Sequence, residues 1–166
     1  MKLMRLMRIA AIAVIFTAGF GAGVWATAQT QQAAPLPAER VSGIGGVFFK
    51  AKDPRTLAAW YRQALGVDLM QGAPYAAFRW RERDDSSRVG STAWSLFPST
   101  TTYFAPSSAS FMVNYRVRNL DAMLAQLRSL GVTVDPKVTD DVNGKFGWIV
   151  DPEGNKVELW EPKAGY

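Results

Sequence analysis

Residues 146–160 read F-G-W-I-V-D-P-E-G-N-K-V-E-L-W. Two apolar and aromatic runs flank Asp151-Pro152-Glu153-Gly154-Asn155, a cluster of turn formers. The pattern predicts a strand over Gly144 to Val150, a tight turn, and a return strand over Lys156 to Glu161. Glu158 stands on the return strand between Val157 and Leu159. A carboxylate in such a run needs a partner or a task, because a buried charge is costly unless it is paired or hydrogen-bonded.

Outward from this hairpin the chain shows one plan twice. Gly45 to Lys52 reads as a strand, Asp53-Pro54 as a helix start, Arg55 to Leu65 as a helix and Gly66-Val67 as its exit. Phe111 to Arg118, Asn119-Leu120, Asp121 to Leu130 and Gly131-Val132 repeat that order. Asp53 and Asn119 suit the N-cap, and Pro54 suits the first helical position. Gly66 and Gly131 suit a left-handed helix stop. Leu57, Trp60, Tyr61, Ala64 and Leu65 recur at helical spacing, as do Leu120, Met123, Leu124 and Leu127. The second copy follows the first by 66 residues through strands and caps, and by 65 after the helices.

Strands are predicted after each helix. In the first half they are Val67 to Gln71, Tyr75 to Glu82 and Ser91 to Phe97; in the second, Val132 to Val138 precedes the hairpin. Pro98 to Ser108 is a Ser/Thr-rich connector. The expected fold class is α+β. Two βαβββ modules, about residues 44–97 and 110–161 of a domain at 41–166, build a mixed sheet with helices on one face and a cup on the other.

The N-terminus reads differently. Met1 to Arg8 carries Lys2, Arg5 and Arg8; Ile9 to Trp25 is apolar; Ala26-Thr27-Ala28 is a small-x-small site. That order predicts a signal peptide over residues 1–28, with export to the periplasm or beyond. The alternative is an uncleaved anchor, which would be the only membrane contact. Residues 29–40 read as a flexible leader. With no cysteine in the 166 residues, disulfides and thiol chemistry are excluded. Of 19 basic residues three precede Gln29, whereas all 14 acids follow it, so the exported part is nearly balanced. Arg79, Arg81 and Arg83 are interleaved with Glu82 and followed by Asp84 and Asp85, so no basic surface for nucleic acid is expected.

The runs G-G-V-F-F-K-A-K-D-P, N-Y-R-V-R-N-L-D-A-M-L and W-I-V-D-P-E-G-N-K-V-E-L-W-E-P, with L-G-V after each helix, make the chain resemble the vicinal oxygen chelate superfamily. That group includes glyoxalase I, bleomycin-resistance proteins, fosfomycin-resistance enzymes and extradiol dioxygenases. The resemblance implies a glyoxalase-like fold and a homodimer. It also implies where metal ligands would fall: Gly46, Met112, the strand Ser91 to Phe97, and Glu158. Only Glu158 matches a family ligand, and the chain has no histidine. A protein-held metal needs about three or four donors, so neither metal nor cofactor is expected.

Strand alternation then selects cup residues. Phe48 and Lys50 share a face with Gly46; Asn114 and Arg116 with Met112; Lys156 and Trp160 with Glu158. Phe146, Trp148, Phe78, Trp80 and Trp94 are aromatic candidates on neighbouring strands. Glu158 is the catalytic candidate. Phe48, Trp80, Trp94, Asn114, Arg116 and Trp148 are the ligand-binding candidates. The competing reading makes Glu158 an ion-pair partner of Arg116, Arg79 or Arg81, and leaves Trp60 and Tyr61 as core. Without His or Cys the common catalytic triads are absent. Gly43-Ile44-Gly45-Gly46-Val47 is not followed by a helix, so it is no dinucleotide loop. Three functions fit: a metal-free binder of a small, partly apolar molecule; a glyoxalase-like lyase or isomerase with altered or absent metal dependence; and a dimerising module without ligand. The plentiful aromatics and missing metal donors favour the first.

Overall fold

The ten residues from Pro54 to Gln63 illustrate how local signals set the elements. Asp53 caps them, its Oδ1 accepting from the Arg55 and Thr56 amides at 3.0 Å. The computed structural model describes residues 36–83 and 85–165; the segment read as a signal peptide lies outside them. Its elements are β1 (Val41–Ala51), α1 (Pro54–Leu65), a 3-10 turn (Met70–Gly72), β2 (Tyr75–Arg81), β3 (Val89–Pro98), β4 (Phe111–Val117), α2 (Leu120–Ser129), β5 (Thr133–Asp141), β6 (Gly144–Val150) and β7 (Lys156–Pro162). Helix α2 is capped by Asn119, whose Oδ1 accepts from the Ala122 amide at 2.9 Å. Gly66 and Gly131 follow the helices with φ of 68° and 75°, a conformation that suits glycine.

The seven strands form one mixed sheet in the order β2-β3-β1-β4-β7-β6-β5. Each half has a parallel pair at its centre, β1 with β3 and β4 with β7. The antiparallel pair β1–β4 joins the halves. One expected strand is missing. Residues 67–71 do not pair, because Gln71 and Gly72 adopt φ of 51° and 71° and turn the chain at Met70–Gly72. The first half is therefore one strand short of the βαβββ plan, and β2 is the sheet edge.

Register sorts the side chains. Val47 stands beside Val113 and Trp94, and Phe49 beside Leu96. This face meets the helices. Ala51 and Leu96 pack on Ala58 of α1, while Val117 and Leu159 pack on Leu120, Met123 and Leu124 of α2. The other face carries Phe48 beside Met112 and Ser95, and Asn114 beside Glu158. There Phe48, Met112 and Trp148 pack on Phe104, a fully buried residue of the connector. The connector thus closes one end of the cup. Just ahead of β1, Glu39 exchanges two 3.0 Å hydrogen bonds with the Gln126 side chain of α2.

Candidate functional site

Glu158 is 2 % exposed, and the hydrogen bonds it accepts explain how a carboxylate tolerates that position. Its Oε1 accepts from Asn114 Nδ2 at 2.6 Å. Its Oε2 accepts from Trp148 Nε1 at 2.8 Å and from the Tyr103 hydroxyl. Asn114 arrives from β4 and Trp148 from β6, each directly beside Glu158 in the sheet. Tyr103 arrives from the connector, stacked on Phe97 with ring centroids 5.4 Å apart. Burial, the negative charge of Glu158 and the hydrogen bond to it push the Tyr103 phenol far above its ordinary value. Tyr103 is therefore held as a neutral donor.

A cavity of about 280 Å³ opens on this group. Phe48, Ala93, Phe97, Phe146 and Trp160 supply apolar wall, and Asn114 and Glu158 supply polar points. Asn114 Oδ1 is buried and has no hydrogen-bond partner. It faces Gly45, where a Cβ would lie 2.1 Å from it. The first half contributes differently from the second. The parallel pair Phe48 beside Ser95 occupies the place that Asn114 beside Glu158 occupies in the other half. One side of the cup is thus mostly apolar and the other acidic.

The remaining candidates fall outside the cavity lining. Trp148 stands behind Glu158 and reaches it through the indole N–H. Arg116 is not the partner of Glu158. Its guanidinium lies between the rings of Trp80 and Trp160, 5.4 and 5.0 Å from their centroids, and 3.7 Å from Glu82. Burial pulls its pKa down, opposed by Glu82. Trp80 touches Arg116 and donates to Thr92 Oγ1, so it belongs to that end of the sheet. Trp94 belongs to the helix face, packed edge-on against Tyr61 at 4.9 Å; register with Val47 places it there. Trp60, read as core, is 54 % exposed. Tyr103 escaped the sequence reading. Its only signal was an aromatic pair, Tyr103-Phe104, inside a Ser/Thr-rich connector.

The positions at which the resemblance places metal ligands can be tested on the donors present. Gly46 lies beside Ala93, and Met112 is packed in the aromatic cluster. Among the described residues no three His, Cys, Asp or Glu side chains come together. Both oxygens of Glu158 face N–H or O–H donors. One carboxylate so occupied, with one amide oxygen beside it, does not fit a protein-held cation.

The sequence matches the family model described as a glyoxalase-like domain over residues 46–160. No curated protein matches. Among solved structures, methylmalonyl-CoA epimerase of Streptomyces coelicolor, in complex with 2-nitronate-propionyl-CoA, is 16 % identical with a TM-score of 0.53, covering 72 % of this chain and 96 % of that one. The methylmalonyl-CoA epimerase of Mycobacterium tuberculosis is 22 % identical, TM-score 0.49, covering 78 % and 93 %. A glyoxalase/bleomycin resistance protein/dioxygenase superfamily member from Vibrio splendidus 12B01 is 8 % identical, TM-score 0.44, covering 73 % and 97 %. At 16 % identity the likeness to the Streptomyces protein is one of fold.

Proposed function

The chain belongs to the glyoxalase-like domain family, and from that premise we propose that it binds a small, partly apolar molecule in the cup without a protein-held metal. The single observation that carries this is the cavity itself: aromatic wall on one side and the buried pair Asn114–Glu158 on the other. Mostly apolar walls with a few placed polar groups are the usual composition of a small-molecule site. A turnover role for Glu158 has less support. Three donors already occupy its oxygens, which suits a fixed acceptor better than a group that takes a substrate proton. The basic, apolar, small-residue order of residues 1–28 supports export. A homodimer completes the reading on family resemblance, and the mass in solution tests it.

The binding reading is tested by thermal unfolding in a library of small aromatic and aliphatic compounds. Ala77 lines the cavity, so Ala77→Trp should fill it. A ligand at about a hundred times its Kd stabilises by about 2.7 kcal/mol. Such compounds should raise the Tm of the native protein and lose that effect in Ala77→Trp. Compounds that stabilise both proteins equally would contradict binding in the cup.

A further inference from the structure

The acceptors in the cup outnumber the donors the protein brings to them. A carboxylate offers about four acceptor positions and an amide oxygen two. Glu158 Oε2 takes two donors and Oε1 takes one. Asn114 Oδ1 takes none, although Asn114 is 2 % exposed. The amide cannot be turned to relieve this. Rotation would set its oxygen against Glu158 Oε1 at the 2.6 Å now spanned by Nδ2. Gly45 lines the cavity, and its lack of a side chain makes room for that oxygen, which would lie 2.1 Å from a Cβ there.

Charge points the same way. The three groups bonded to Glu158 are all neutral, and among the described residues no cation lies within ion-pair distance of it. The nearby cations are engaged elsewhere. Lys156 donates to the Tyr103 carbonyl at 3.0 Å and lies over the Trp148 ring, Lys137 also lies over Trp148, and Arg116 faces Glu82. Arg79 lines the cavity but is exposed. A buried charge without a counter-ion is costly, and a cation brought by a ligand relieves that cost.

We infer that the ligand of this cup carries a protonated amine, seated against Glu158 Oε1 and Asn114 Oδ1, with its apolar remainder against Phe48, Phe97 and Phe146. An ammonium has three donors and no acceptor, which matches the spare acceptor capacity of Glu158 and, once its buried amide oxygen shifts toward the cavity it lines, of Asn114. A carboxylate-bearing ligand is repelled by the same pair. This inference rests on the cup-binding reading and specifies its ligand class.

The test is calorimetric titration of the protein with 2-(1-naphthyl)ethylamine, 2-(1-naphthyl)ethanol and 1-naphthylacetate, with NMR shifts of the cavity residues recorded alongside. The amine should bind at least tenfold more tightly than the alcohol, and the alcohol more tightly than the acid. Glu158→Gln provides the second arm. Its new amide can donate to Asn114 once that side chain turns over, while its oxygen still accepts from Tyr103 and Trp148. The fold is kept, and Asn114 then presents N–H to the cavity. The amine preference should fall below about threefold or reverse. An alcohol or acid that binds the native protein as well as the amine overturns the inference. Equal binding of all three, with shifts at Phe48 and Phe146, does so while leaving the cup reading intact. No shift with any of the three contradicts both.

Discussion

Tyr103 and Glu158 are 55 residues apart in sequence, yet the carboxylate helps to set the state of the phenol. Because the phenol pKa is raised on folding, the folded state holds that proton more tightly than the unfolded chain does. The resulting stability is complete below the ordinary phenol value of about 10 and is lost as the pH rises above it, at about 1.4 kcal/mol per pH unit for one group. Tyr103→Phe lacks this contribution. Urea unfolding between about pH 8 and pH 11 should show the native protein losing stability faster than the variant; parallel curves would contradict the assignment. Glu158 was legible because it interrupts an apolar strand. Tyr103 was not, because a connector has no periodicity and nothing local links it to the far strand. Asn114 was legible by alternation from Met112, but its unsatisfied oxygen emerges only from the hydrogen-bond geometry.

At the scale of elements, the helices were the most readable part, since their caps and stops lie in adjacent residues. Asn119→Ala should remove the bond to the Ala122 amide and destabilise the protein by about 1 kcal/mol. A shift in the urea midpoint at unchanged slope would show it; no shift would mean that α2 is held by its packing on Val117 and Leu159 alone. Strands were harder. Val67 to Met70 has the composition of a strand, but the left-handed pair Gln71–Gly72 ends it before it can pair. The facing of β2 and β3 was closed to sequence reasoning, because it depends on which residue of β3 meets Gly46. That residue is Ala93, so Ala93, Ser95 and Phe97 turn to the cup and Trp94 turns away. Two register shifts in β1, between Val41 and Gly43 and between Ile44 and Gly46, add to the difficulty near Trp80 and Arg116.

The whole molecule joins two similar halves through β1 and β4 but builds an unequal cup from them. The repeat was visible in sequence as an offset of 66 residues that slips to 65 after the helices; the inequality was visible only as missing ligands. Structure gives that inequality a form, with Phe48 and Ser95 opposite Asn114 and Glu158. Glu158 is held by donors from Asn114, Trp148 and Tyr103, an arrangement that does not fit a protein-held metal. The direct measurement is the metal content of the protein purified without chelators, beside that of Glu158→Gln. The account predicts far less than one metal per chain in both. About one metal per native chain, absent from the variant, would contradict it.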